Sequence, residues 1–186
     1  VQEDTGIYIE TAAEDGSEPV KNYYKTLQEA VDAASTTAES SEATIIKFSQ
    51  MLSLSSTINV SGKKICLMSV AADAKIVRQQ GFTGDLFLLS GEGSELQFAA
   101  DEGCTFTVDG SGTENITGSI VNVSDNAAFG MSSGVALTGN STSANGGAVT
   151  NNGGSIVLRG GSVTGNSGAK GAVYTNTDVM VQGIVS

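Results

Sequence analysis

The chain has 186 residues, 24 of them glycine, with one proline, no histidine and no tryptophan, and a formal net charge of −11. The missing histidine excludes Ser-His-Asp and Cys-His catalysis and any His-based zinc site. The acidic balance argues against nucleic acid and anionic membranes, which need clustered Lys and Arg, and no apolar run reaches the ~18 residues needed to span a bilayer.

The acids are unevenly placed: residues 1–42 hold ten of the twenty against two lysines. That stretch reads as a lead-in, with a short strand at Ile7, Tyr8 and Ile9 followed by an acidic, turn-rich segment. Thr26-Leu27-Gln28-Glu29 is a capping box, in which hydroxyl and carboxylate satisfy each other's backbone amides. Leu27, Ala30, Val31 and Ala34 then share a face at helical spacing, which predicts a helix over 27–38.

From residue 43 to the end the period changes to two. Segments 45–48, 57–60, 65–68, 75–77, 86–89 and 95–98 are short, apolar and separated by Gly, Ser or Asp. They suit the sides of a repeating coil better than a hairpin meander. Placing Ile46 with Phe48, Ile65 with Leu67, Leu86 with Leu88, Val121 with Val123, then Val149 and Val173 in one stack leaves a long step before Val123. That step implies an insertion between Ala99 and Gly118.

Between Gly146 and Gly183 the chain repeats itself with a shift of 24: Ala148 falls on Ala172, Val149 on Val173, Asn152 on Asn176 and Val157 on Val181. A unit of this size made of apolar triplets spaced by Gly and Asn points to a solenoid. A second element, Val108-Asp-Gly-Ser, Leu137-Thr-Gly-Asn and Val163-Thr-Gly-Asn, ends a third strand with a turn and supports the register. The pairs Asn140 with Asn166 and Asn152 with Asn176 recur at turns, where stacked amides are expected to bond from coil to coil.

The expected fold is therefore all-β: a right-handed parallel β-helix of about six coils, capped at its amino-terminal end by the helix. No comparable cap follows Ser186, so the ladder is expected to continue beyond it, and the start at Val1 without a signal peptide suggests an excised mature region.

Few residues carry a chemical signature. Cys66 and Cys104 read as small strand residues rather than a disulfide pair. Lys63-Lys64 reads as a turn between coils, and the sequons at Asn59, Asn115, Asn122 and Asn140 follow from composition. Asp101, Glu102, Asp109 and Glu114 are oxygen donors of the type calcium takes. No calcium motif accompanies them, and a solvated acidic loop is the plainer reading. Among Phe82, Phe87, Phe106, Phe129, Tyr23, Tyr24 and Tyr174, most read as core or strand residues, and Tyr174 is the candidate sugar-stacking platform. The sequence specifies no catalytic residue, no metal ligand and no cofactor.

Gly146-Gly147-Ala148-Val149 followed by Val163-Thr164-Gly165-Asn166 resembles the GGA[ILV] and FxxN pairing of the polymorphic outer membrane protein repeats of bacterial surface adhesins. It is also similar to the β-helix repeats of wall-anchored surface proteins of gut bacteria. The resemblance covers mainly residues 120–183. It departs from the pattern at Val163 and Leu137, where the family has Phe, and at Lys170-Gly171-Ala172-Val173, which has one glycine where the family has two. What it implies is a pectin-lyase-like β-helix in a secreted, surface-exposed passenger that adheres to a host protein or glycan. Two other functions stay open: a polysaccharide lyase or hydrolase on the same fold, and a passive stalk.

Overall fold

Alternation of apolar and polar residues sorts the described residues into eighteen short strands and one helix, α1 (Leu27–Ala33). The computed structural model describes residues 3–13 and 16–182. Gly183, which closes the sequence repeat, and the end of the ladder at Ser186 lie outside the described residues.

Three sheets are formed. Sheet A takes β1 (Ile7–Thr11), β2 (Val20–Tyr23), β3 (Thr44–Phe48), β6 (Lys64–Ser69), β9 (Glu95–Ala100), β12 (Ala128–Met131), β15 (Ser155–Leu158) and β18 (Val179–Val181). Sheet B takes β4 (Leu52–Leu54), β7 (Ala74–Arg78), β10 (Phe106–Asp109), β13 (Val135–Thr138) and β16 (Ser162–Thr164). Sheet C takes β5 (Ile58–Ser61), β8 (Phe87–Ser90), β11 (Val121–Ser124), β14 (Val149–Asn152) and β17 (Val173–Thr175). From β3 onward the chain visits A, B and C in turn, each strand pairing in parallel with the strand three places on. Five complete rungs precede β18.

One apolar cluster draws residues from all three sheets. Inward positions stack in register: Ile46 on Leu67, Phe98 and Met131 in sheet A, Ile76 on Val108, Leu137 and Val163 in B, and Phe87 on Val121, Val149 and Val173 in C. Phe98 lies at the centre, with ring centroids 5.0 Å from Phe87, 5.0 Å from Phe106 and 5.2 Å from Phe129. These tilted and edge contacts add to the large area each ring removes from water.

The expected single stack divides between two sheets. Ile46, Phe48, Ile65 and Leu67 belong to A, whereas Val121, Val123, Val149 and Val173 belong to C. Leu86, just before β8, is buried as expected, but within the strand the inward residues are Phe87 and Leu89 and not Leu88, because an uninterrupted apolar run shows no alternation from which to read its phase. The expected insertion between Ala99 and Gly118 is instead an ordinary passage through β10. In the repeat, Val149 does pair with Val173, but Val157 pairs with Met180 and not Val181. The corner between sheets C and A is one residue shorter in the second unit, and the slip keeps Val179 and Val181 in line with Ile156 and Leu158.

The amino-terminal edges are covered by different devices. Antiparallel β1 seals sheet A through Ile7 opposite Phe48 and Ile9 opposite Ile46. Helix α1 lies against sheet C, burying Leu27, Ala30 and Val31. Its Gln28 side chain accepts from Asn59 N (2.8 Å) and donates to Asn59 O (3.1 Å), replacing a strand partner on the β5 edge. The Thr26 and Glu29 capping box is present. The helix stops at Ala33, short of the expected 38, because Thr36 bonds sideways to Lys64 O (2.6 Å) and Thr44 (2.9 Å). Lys63, read as a turn residue, donates its ammonium to the Asp32 (2.6 Å) and Ala34 (2.9 Å) carbonyls at the helix carboxyl end, where a cation also complements the dipole.

Replacing Phe98 by Ala is expected to lower the unfolding free energy by about 3–5 kcal/mol, as for other core aromatics. Gln28→Ala, which frees two edge groups, is expected to cost about 1 kcal/mol. Urea unfolding midpoints measure both, and equal losses would contradict this packing.

Candidate functional site

Within the ladder from β3 to β18, most of the length between strands lies at one corner. After sheet B the chain crosses to sheet C through residues 79–86, 110–120, 139–148 and 165–172 in successive rungs. These crossings stack as the strands do. Thr83 O accepts from Thr117 N and Gly118 N (both 2.9 Å), and Ile116 bridges Thr142 as Ser141 bridges Ser167, both in parallel. Ser143 N donates to Ile116 O (3.0 Å), and Lys170 N to Asn145 O (2.8 Å).

Beneath them lies the most buried cation of the described residues. Ala74, Ile76 and Arg78 alternate inward along β7, so the strand's own period drives the Arg78 side chain into the interior at 3% exposure. Its Nε donates to Gly110 O (2.8 Å), Nη1 to Phe82 O (3.2 Å) and to Gly84 O, and Nη2 to Asn140 Oδ1 (3.2 Å). The guanidinium also lies 5.4 Å from the Phe82 ring centroid. Burial lowers the Arg78 pKa, and nearby Asp85 opposes that shift.

Asn140 continues the tie. Fully buried, it donates through Nδ2 to Gly118 O (3.0 Å) and Gly147 O (2.7 Å), while its backbone N–H reaches Asn166 Oδ1 (3.1 Å). One cation and two side-chain amides, Asn140 and Asn166, thus join four successive crossings. The stacking of amide on amide expected from the sequence does not occur: the Asn140, Asn166 and Asn176 side chains bond to backbone groups instead. Gly110 is required here by close approach, since a Cβ on it would sit 2.5 Å from the Asn140 Cβ. Around this core, Asp85 accepts from Ser119 N (2.7 Å) and Asn122 Nδ2 (3.0 Å), and Ser119 Oγ donates to Gly146 O (2.7 Å). No buried side-chain nitrogen or oxygen among the described residues lacks a partner.

The outer surface of this corner forms a ledge with two adjoining depressions. One of about 540 Å³ is lined by Gln80, Gly81, Gly112, Thr113 and Glu114. The other, about 380 Å³, is lined by Asn115 to Thr117 and Ser141 to Ser143. Asn115 lies between them with φ of 55°, a conformation that asparagine tolerates better than most residues. A further depression of about 330 Å³ beside β4 is the seam between the α1 cap and the first rung, floored by Leu27, Leu52 and Ile58.

The sequence candidates are dispersed by this geometry. Asp101 and Glu102 are exposed at the corner between sheets A and B, and Asp101 Oδ1 accepts from Glu102 N (2.9 Å). Asp109 is ion-paired to Lys75 (2.9 Å) and accepts from Ser111 Oγ (2.6 Å) and N (3.0 Å). Glu114 lines the ledge. The four donors are not brought together, and among the described residues no group of three or more acidic or cysteine side chains is placed to hold a metal ion. Tyr174, opposite Thr150, is half-buried, with the Lys170 ammonium 4.5 Å over its ring. Phe87, Phe106 and Phe129 are buried core rings. Cys66 and Cys104 are free and half-buried, and burial pushes the Cys66 thiol up.

No family model, curated protein or solved structure matches the chain.

Arg78 and Asn140, which organise the ledge, carry no motif. Their signal was positional: an arginine in the inward phase of a strand, and an asparagine recurring one residue after a Thr-Gly turn.

Arg78→Met leaves three carbonyls and one amide oxygen unpaired and is expected to cost on the order of 3 kcal/mol, with Arg78→Lys recovering little because an ammonium lacks the planar fork. Thermal unfolding of the two variants tests this, and full recovery by Lys would contradict it. Burial raises the Asp109 pKa, but hydrogen bonds from Ser111 and Lys75 outweigh it and leave the carboxyl below its ordinary value. Its stabilising contribution is therefore present above the ordinary aspartate range and lost as pH falls through its folded value. Asp109→Asn is expected to destabilise by up to about 1 kcal/mol at pH 7, a difference that narrows as pH falls through the carboxyl's lowered folded value in paired urea titrations.

Proposed function

We propose that the three stacked sheets form a right-handed parallel β-helix akin to the polymorphic outer membrane protein repeats. The chain is then a non-catalytic binding segment of a secreted bacterial surface protein that adheres to a host surface or glycan. The observation that carries this reading is the ledge, whose backbone is tied from below by Arg78 and Asn140 while Gln80, Glu114, Asn115, Ser141 and Ser143 project polar side chains with no intramolecular hydrogen bond among the described residues. A fixed backbone lowers the ordering cost of binding, and unpaired polar groups are what a ligand can satisfy. The double glycine supports the repeat assignment, since a Cβ on Gly146 would sit 1.9 Å from Val149 O. A net charge of −11 favours solubility and disfavours nucleic acid and anionic membranes. No helix of the described residues is long and apolar enough to cross a membrane.

Lyase chemistry would require a basic residue beside calcium-binding carboxylates, and of the two arginines Arg78 is committed to carbonyl oxygens in the interior. Host-cell binding and glycan-array measurements on the chain, run beside a polysaccharide depolymerisation assay, test the reading. Saturable binding without new reducing ends or unsaturated products is expected. Depolymerisation by the chain would overturn it in favour of a carbohydrate-active enzyme, and absence of any binding would leave a passive stalk.

A further inference from the structure

We infer that the ledge at the corner between sheets B and C recognises an uncharged oligosaccharide, an inference that rests on the adhesion reading above and names the ligand class and the place. The two depressions, about 540 and 380 Å³, adjoin along the direction in which the crossings stack. Together they make a trough rather than an enclosed pocket, which suits a chain ligand better than a single small molecule. Their free polar groups are two amides, Gln80 and Asn115, two hydroxyls, Ser141 and Ser143, and one carboxylate, Glu114. Amides and hydroxyls both donate and accept, as sugar hydroxyls do, and a carboxylate can accept from two adjacent hydroxyls at once. Glu114 and Asn115 are consecutive at the junction of the depressions, so the one charged group lies beside an amide held at φ of 55°.

The charge excludes the other glycan class. No Lys or Arg lines either depression, and the chain carries −11 overall, so a uronic or sialic carboxylate would meet Glu114 without a counter-ion. No aromatic ring lines the trough, so recognition depends on hydrogen bonds over several sugar units, and millimolar affinity per site is expected. The rigid floor matters for that reason: Thr113 Oγ1 accepts from Gly81 N (3.1 Å), and Thr142 Oγ1 donates to Ile116 O (3.0 Å), so hydroxyls not used for ligand hold the trough's shape.

The test is an amide-resolved NMR titration of the chain with maltohexaose, cellohexaose, laminarihexaose and mannohexaose, beside trigalacturonate and sialyllactose. At least one neutral oligomer is expected to shift the amides of residues 80–81, 112–117 and 141–143, with the anionic probes weaker. Glu114→Ala and Asn115→Gly, the latter keeping the backbone conformation without strain, are each expected to weaken binding about tenfold while leaving spectra elsewhere unchanged. Tyr174→Ala is expected to leave binding unchanged. Shifts clustered at Tyr174 or on a sheet face, or tighter binding of the anionic probes, would overturn the ledge assignment while leaving adhesion standing. No shift with any neutral probe overturns the present inference, and the cell-binding measurement then decides separately whether adhesion fails with it.

Discussion

Parallel backbone pairing between rungs is the constraint on which the rest depends. Each strand of three to six residues is too short to be stable alone, and is held because its amides and carbonyls meet those of the rung before and the rung after. Register follows from the inward rows: a one-residue slip of β14 would turn Val149 and Asn151 outward and expose a row of apolar contacts. With strands pinned at three places per rung, differences in rung length have to emerge at the corners. They emerge mainly between sheets B and C, which is why that corner carries the ledge.

A corner of extended crossings has many backbone polar groups and little water, and each buried one left unpaired costs free energy. Arg78 and Asn140 meet that demand together. The planar guanidinium directs donors at three carbonyls and an amide oxygen, and the Asn140 amide passes its own two donors to Gly118 O in the preceding crossing and Gly147 O in its own. Buried networks of this kind stabilise when every member is satisfied and destabilise when one is removed. The same bonds that hold the interior fix the outer surface, so stability and the proposed recognition share one set of contacts. The amino-terminal cap follows the same logic with different residues: Gln28 mimics a strand for β5, and Lys63 closes the carboxyl end of α1.

Much of this was legible where the sequence contains its own punctuation. The Val108, Leu137 and Val163 elements, each followed by a turn, identify three stacked strands of sheet B in correct register. The capping box marks the start of α1, and the shift of 24 identifies neighbouring strands of sheet C. Illegibility has physical causes. Phe87-Leu88-Leu89 hides its phase because all three residues are apolar. Leu52–Leu54 is only three residues long and could not be told from a loop. Lys63 takes its role from the earlier helix α1 and Arg78 from carbonyls in two crossings, so no local pattern announces them, whereas Asn140 was visible as a recurring turn residue but its partners were not. The four acids weighed as calcium donors are close in sequence, but β10 carries them to different corners.

The central claim is the rung-to-rung register, and long-range NOEs in a methyl-labelled sample measure it most directly. The account predicts that Val149 shows contacts to both Val121 and Val173, and that Leu137 shows contacts to both Val108 and Val163. Contacts placing Val149 against Leu67, or Val157 against Val181 in the same register as Val149 against Val173, would contradict it.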